Sequence, residues 1–347
     1  MRPNGPTIDD EAERLLRALM NVDCDPRGQA WNYESCRRIA PVTLEINRLK
    51  KERDAVILAH SYVEPEIIYG VADFKGDSYH LSVKAAESRA KVIVFAGVVF
   101  MAETAKILSP EATVIVPDRN SGCSLADSIT GEDVRRLRAL YPDAAVVCYI
   151  NSTAEVKAES DVCVTSGNAY GIVASLPERR VIFVPDRLMA GNLRSELRRG
   201  GIDKELISSD GTCLVHDEFT PKQAEAARAQ FPGLRVVAHP ECEPQVAAAA
   251  DFVGSTGAMM DYVRRTDAPY FLMLTECGLV GRLQVEEPAK RFIGGCRLCP
   301  YMKLNSLEKV RDALASPRAD QIVTLDEALR LRASRCIERM FELGPTD

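Results

Sequence analysis

Nine short apolar runs, mostly β-branched, recur along the chain at 55–60, 92–97, 113–117, 145–151, 162–166, 181–186, 235–241, 252–256 and 271–276. Each is nearly continuous and does not alternate with polar residues. That pattern belongs to a parallel strand covered on both faces. Between the runs, polar and apolar positions follow the helical period, as at 132–143 and 221–233. Strand alternating with helix predicts an α/β fold with parallel sheets.

The pattern also repeats. Thr130 opens a helix that closes at Tyr141-Pro142, and the next strand runs to Tyr149 and Asn151. Thr220 opens a helix that closes at Phe231-Pro232, and the next strand runs to His239 and Glu241. The offset is 90 residues at each point, and it carries Cys123 onto Cys213. A third copy follows Cys299, with helix then strand over 306–323, and a truncated fourth spans 41–60. Self-similarity at a fixed period of about 85–90 residues predicts three related units. Their expected limits are 1–121 completed by 300–347, 122–211, and 212–299, so that the last helix returns to the first unit. Gly122 and Gly211 lie at the junctions as hinges.

Composition narrows the class. The 347-residue chain carries a net charge of −6, which argues against a nucleic-acid partner. No apolar run approaches the roughly 20 residues that span a bilayer, and the first residues lack the apolar core of a signal peptide. A cytoplasmic protein with reduced thiols is expected, with no membrane association. Eleven cysteines are too few for a disulfide scaffold, so some should be ligands and the rest core residues.

Cys296 and Cys299 form a C-x-x-C, which by itself suits half a zinc site, a redox disulfide or part of an iron–sulfur ligand set. Repeat register singles out Cys123, Cys213 and Cys299. Three soft thiolates with no partnered histidine suit an iron–sulfur cluster with one iron left open as a Lewis acid. The competing reading makes them unrelated core thiols. His60, Tyr149 and His239 end their strands, with Tyr62, Asn151 and Glu241 two residues beyond. Strand ends are where α/β proteins place their ligands. A glutamate in a partly dry pocket there can move protons near neutral pH. Ser78, Ser166, Ser255 and Thr256 lie on turns that suit anions or helix caps equally. Lys106 and Arg282 are candidates for a phosphate. His80, His216, Cys148, Cys163, Cys242 and Cys277 read as structural. The Cys213-x-x-His216 pair lacks the second ligand pair of a zinc site.

The segments AHSY (59–62), GDSY (76–79), FMAETAKILSP (100–110), GCSLAD (122–127), YINSTAEVKAESDVCVTSGNA (149–169), HPEC (239–242), GST (254–256), TECGL (275–279) and CPYM (299–302) together resemble quinolinate synthase over residues 40–345. The resemblance implies three pseudo-threefold-related, three-layer αβα domains with parallel sheets around a central active site. It implies a [4Fe-4S] cluster on Cys123, Cys213 and Cys299. The implied reaction condenses iminoaspartate with dihydroxyacetone phosphate to quinolinate, releasing phosphate and two waters. Tyr62 and Glu241 would transfer protons with His239 beside Glu241. His60, Ser78, Tyr149, Asn151, Ser166, Ser255 and Thr256 would bind substrate. The implied partners are L-aspartate oxidase, which would hand over iminoaspartate, and a second copy in a homodimer. The chain departs from the family at Ile293, at Gly167 and at Met189-Ala190. The alternative is a zinc- or redox-sensing protein built on Cys296 and Cys299.

Overall fold

The computed structural model describes residues 5–23, 28, 30–294 and 296–344. Among these described residues, twelve strands form three parallel sheets of four. The first holds β1 (Ala55–His60), β2 (Phe74–Gly76), β3 (Val92–Ala96) and β4 (Thr113–Ile115) in the order β2-β1-β3-β4. The second holds β5 (Ala145–Tyr149), β6 (Val162–Val164), β7 (Arg180–Val184) and β8 (Glu205–Ser208) in the order β6-β5-β7-β8. The third holds β9 (Arg235–Ala238), β10 (Phe252–Val253), β11 (Tyr270–Leu274) and β12 (Arg291–Ile293) in the order β10-β9-β11-β12. One strand order thus occurs three times, as the 90-residue periodicity predicts.

The apolar runs locate the central strands because those strands are covered on both faces. Every residue of β5 is buried, and so are the last four of β1, β3, β7 and β11. The runs miss β2, β8 and β12. These lie at sheet edges, are three or four residues long, and carry Lys75, Glu205 and Arg291. A charged edge strand carries no continuous apolar signal. The strand expected at the end of 306–323 is absent. A short 3-10 turn, Ala319–Gln321, occupies that place, followed by a single antiparallel bridge from Ile322 to Ile115.

By internal contacts the chain divides into two compact units, residues 1–121 with 267–323, and residues 122–266 with 324–347. In the first unit, the helix Tyr33–Arg53 begins eight residues before the expected position 41. A capping box between Asn32 and Ser35 nucleates it there. It packs on the helix Ile8–Leu19 around Leu15, Leu19, Trp31 and Cys36. In the second unit, the closing helix Glu327–Leu343 corrects an expectation, since it does not complete the first domain. Ala333, Cys336, Ile337 and Met340 on its buried face cover β6 and the helix Ala154–Ala158. Arg332 reaches Glu159 at 3.0 Å, and Cys336 Sγ lies 3.5 Å from Cys148 Sγ. The physical reason is cover. Ala154–Ala158 is only five residues long, too short to shield this face of the second sheet alone.

Candidate active site and cysteine loops

In each sheet the first strand lies between the second and the third, so the connections leave it in opposite directions. Such a reversal opens a crevice at the carboxyl ends of the strands. The candidate residues sit at those ends.

In the first unit, His60 closes β1. Its Nδ1 accepts the backbone N–H of Tyr62 at 3.2 Å, and the two rings meet edge to face. The Tyr62 hydroxyl pairs with Thr275 Oγ1 at 2.8 Å, just past β11. Arg282 donates to Ser61 Oγ at 2.8 Å and to Glu286 at 2.9 Å. Arg282 therefore lies beside the end of β1, as a phosphate ligand could. Lys106 does not. Its Nζ is spent on the carbonyls of Pro110 and Ala112, where it ties off a helix end. Ser78 is the first residue of the helix Ser78–Glu87, which is capped by Asp77.

In the second unit, the same backbone device recurs at β9, where His239 Nδ1 accepts the N–H of Glu241 at 3.3 Å. Glu241 Oε1 accepts the Tyr149 hydroxyl at 2.6 Å and Asn151 Nδ2 at 3.3 Å. Its Oε2 lies 2.8 Å from His216 Nδ1. Burial opposes the charge of Glu241, but His239, His216 and the Tyr149 hydroxyl outweigh it and hold the carboxyl well below its usual range. Glu241 is therefore an anion held by donors rather than a carboxyl poised near neutrality. Burial pushes His239 down to about 3 against the pull of Glu241, so its ring is neutral and presents Nε2–H. Ser255 caps the helix Thr256–Arg265 by accepting the N–H of Ala258 at 3.2 Å. Thr256 opens that helix. A Cβ at Gly167 would lie 3.5 Å from Ser255 Oγ, an ordinary contact, so a serine there would pack directly against this cap. Ser166 is partly exposed, and the neighbouring Asn168 accepts the N–H of Thr165 while its buried Nδ2 has no partner among the described residues.

Cys123, Cys213 and Cys299 occupy one local motif. Each carbonyl accepts the N–H four residues on, from Asp127 at 2.9 Å, Asp217 at 3.0 Å and Lys303 at 3.1 Å. A 3-10 turn follows in each copy, and then a helix capped by Thr130, Thr220 or Ser306. All three thiols are partly exposed, while among the described residues the five other cysteines outside any disulfide are buried. Ser124 joins two of the loops, donating to the Thr212 carbonyl at 3.0 Å and accepting the Leu214 N–H at 3.2 Å. In the third loop, Glu276 accepts the Cys299 N–H and the Lys303 ammonium, each at 3.2 Å. Burial, then the Glu241 charge, push the Cys213 thiol well up, and burial raises Cys299. A bound cation would reverse that pressure by stabilising thiolates. Each loop offers a partly exposed thiol, and in the second unit Cys213 lies with His216 and Glu241 in a donor group that fits a metal or cluster cofactor.

Two residues read from sequence as structural, and one expected at a hinge, behave otherwise. His216 joins Cys213 and Glu241, with their donor atoms all within 4.8 Å of one another. The C-x-x-H spacing was the available signal. Cys277 is bonded to Cys296 in a disulfide spanning 19 residues. This corrects the bland reading of Cys277, and it separates Cys296 from Cys299. Gly211, expected at a hinge, is packed tightly. A Cβ there would collide with Ser128 Oγ and meet the Pro185 carbonyl at 2.7 Å, so close approach explains the glycine. Sequence reasoning also missed two fully buried acids, Asp186 after β7 and Glu276 after β11. Each caps the following helix, and a capping acid looks ordinary in sequence.

Parallel αβ sheets, strand-end histidines and acids, and cysteine loops suited to a metal or cluster define an α/β enzyme. A family model described as quinolinate synthetase A protein matches residues 44–342, and the chain belongs to that family. It is 50% identical over 293 residues to a quinolinate synthase 2 of Mesorhizobium japonicum, covering 84% of this chain and 88% of that protein. It is 46% identical over 310 residues to a quinolinate synthase of Caulobacter vibrioides, covering 88% and 83%. A quinolinate synthase of Xylella fastidiosa is 47% identical over 327 residues, covering 94% of each chain. Among the described residues, no helix is long and apolar enough to cross a membrane.

Proposed function

We propose that the protein condenses iminoaspartate with dihydroxyacetone phosphate to quinolinate, releasing phosphate and two waters. The observation that carries this reading is the threefold recurrence of one cysteine loop in a chain that belongs to the quinolinate synthetase A family. Cys123, Cys213 and Cys299 would hold a [4Fe-4S] cluster. When bound, its open iron would supply Lewis acidity toward the oxygen that leaves. The remaining chemistry falls to the chain. Tyr62 and Glu241 move protons, with His239 offering Nε2–H beside Glu241. Tyr149 and Asn151 hold Glu241, and with His60, Ser78, Ser166, Ser255 and Thr256 they bind substrate carboxylates and phosphate. Buried surroundings exclude water and strengthen each of these contacts. Each sheet would be the core of one domain, with limits near 122 and 212. An oxidase acting on L-aspartate would supply the imine, which is chemically labile. The paired Cys277 and Cys296 disfavour a sensor built on Cys296 and Cys299.

Anaerobic reconstitution with iron and sulfide, followed by a quinolinate assay with iminoaspartate generated in place, tests the proposal. We expect about four irons per chain and quinolinate formation. Cys213→Ala should lose both, and full iron content in that variant would sink the cluster assignment.

A further inference from the structure

We propose that His216 is a positioning residue that aims the Glu241 carboxylate for proton transfer. The inference rests on the role assigned above to Glu241. His216 is buried in the 3-10 turn that follows Cys213. Its Nδ1 faces two acceptors, Glu241 Oε2 at 2.8 Å and Cys213 Sγ at 3.1 Å. A ring nitrogen facing a carboxylate oxygen and a sulfur must carry the proton, so Nδ1–H donates to Glu241. Tyr149 and Asn151 hold the other carboxylate oxygen. Donors on both oxygens fix the rotation of the carboxylate, which no single donor would do. The His216 ring stacks on His239 with centroids 4.6 Å apart and an angle of 25°, which fixes its own plane. The cysteine loop thus carries the residue that orients the base. Binding of a cofactor at Cys213 and aiming of Glu241 share one turn of chain.

The test compares His216→Asn, His216→Gln and His216→Phe in anaerobically reconstituted enzyme. Asparagine places an amide nitrogen near the position of Nδ1, and glutamine places one near Nε2. Iron and sulfide per chain should match the parent in all three. Turnover should fall about 10–100-fold in the Gln and Phe variants, with KM for dihydroxyacetone phosphate little changed, and the Asn variant should recover most of it. A crystal structure of the Phe or Gln variant should show the Glu241 carboxylate rotated away from Tyr149. Equal turnover in all three variants would overturn the proposal, as would an unmoved Glu241. Iron loss in the Phe and Gln variants would overturn it too, because His216 would then be a ligand. If the parent made no quinolinate, the functional reading would fail, while the position of Glu241 in the variants would still decide this one.

Discussion

The ends of β1 and β9 share a backbone device and reach opposite electrostatics. At both, a histidine Nδ1 accepts the N–H two residues on, at 3.2 Å and 3.3 Å. At β1 the residue so placed is Tyr62, a neutral hydroxyl paired with Thr275. At β9 it is Glu241, an anion gripped by Tyr149, Asn151 and His216. The acids after the third strands divide in the same way. Glu276 has Lys303 at 3.2 Å and two backbone N–H groups. Asp186 caps its helix through Oδ1, but Oδ2 has no partner among the described residues. Burial, then the Glu241 charge, push the Asp186 carboxyl well up. The repeat therefore copies backbone geometry faithfully, and the neighbours alone decide which copy carries charge.

The largest expected effect sharpens the first contrast. Glu241→Gln should lower turnover about 10²–10⁴-fold with iron content unchanged, because an amide cannot accept the proton. Tyr62→Phe removes one neutral hydrogen bond to Thr275 and one proton donor, and the smaller loss, about tenfold, would follow. Equal losses in steady-state assays would break the contrast between the two strand ends.

Glu276→Ala tests the second contrast. It strips the fully buried partner from Lys303, leaving Glu64 at 4.0 Å, and should cost about 3–5 kcal/mol in denaturant unfolding. Ser124→Ala removes the stitch between two cysteine loops and should cost about 1 kcal/mol, with faster iron loss to a chelator.

Asp186→Asn should have a distinctive pH dependence. Above about pH 4 the unfolded chain releases the Asp186 proton, while the native state retains it. The parent therefore loses stability from this group as pH rises, until the raised native pKa is reached. Asparagine has no proton to lose, so the variant should gain on the parent between pH 4 and 7. A gap that stayed constant across that range in paired urea titrations would show that Asp186 is ionised in the native state.

The sequence by itself determined the central strands, their parallel class and the threefold period, because burial on both faces and helix caps are written in neighbouring residues. Thr130 and Thr220 cap helices as their spacing implied, and Cys123, Cys213 and Cys299 do occupy loops of one local form. His60, Tyr62, His239 and Glu241 were placed at strand ends for the same reason. Only the tertiary structure decided what those groups touch. It turned Glu241 from a carboxyl expected near neutrality into a held anion, drew His216 into its company, and paired Cys277 with Cys296. It also sent the last helix to the second sheet, where a five-residue helix left apolar surface to cover. Local pattern fixes which face of an element is apolar. Which partner fills that face, and which charges meet once water is excluded, depends on residues about 20 to 190 positions away and is set by packing.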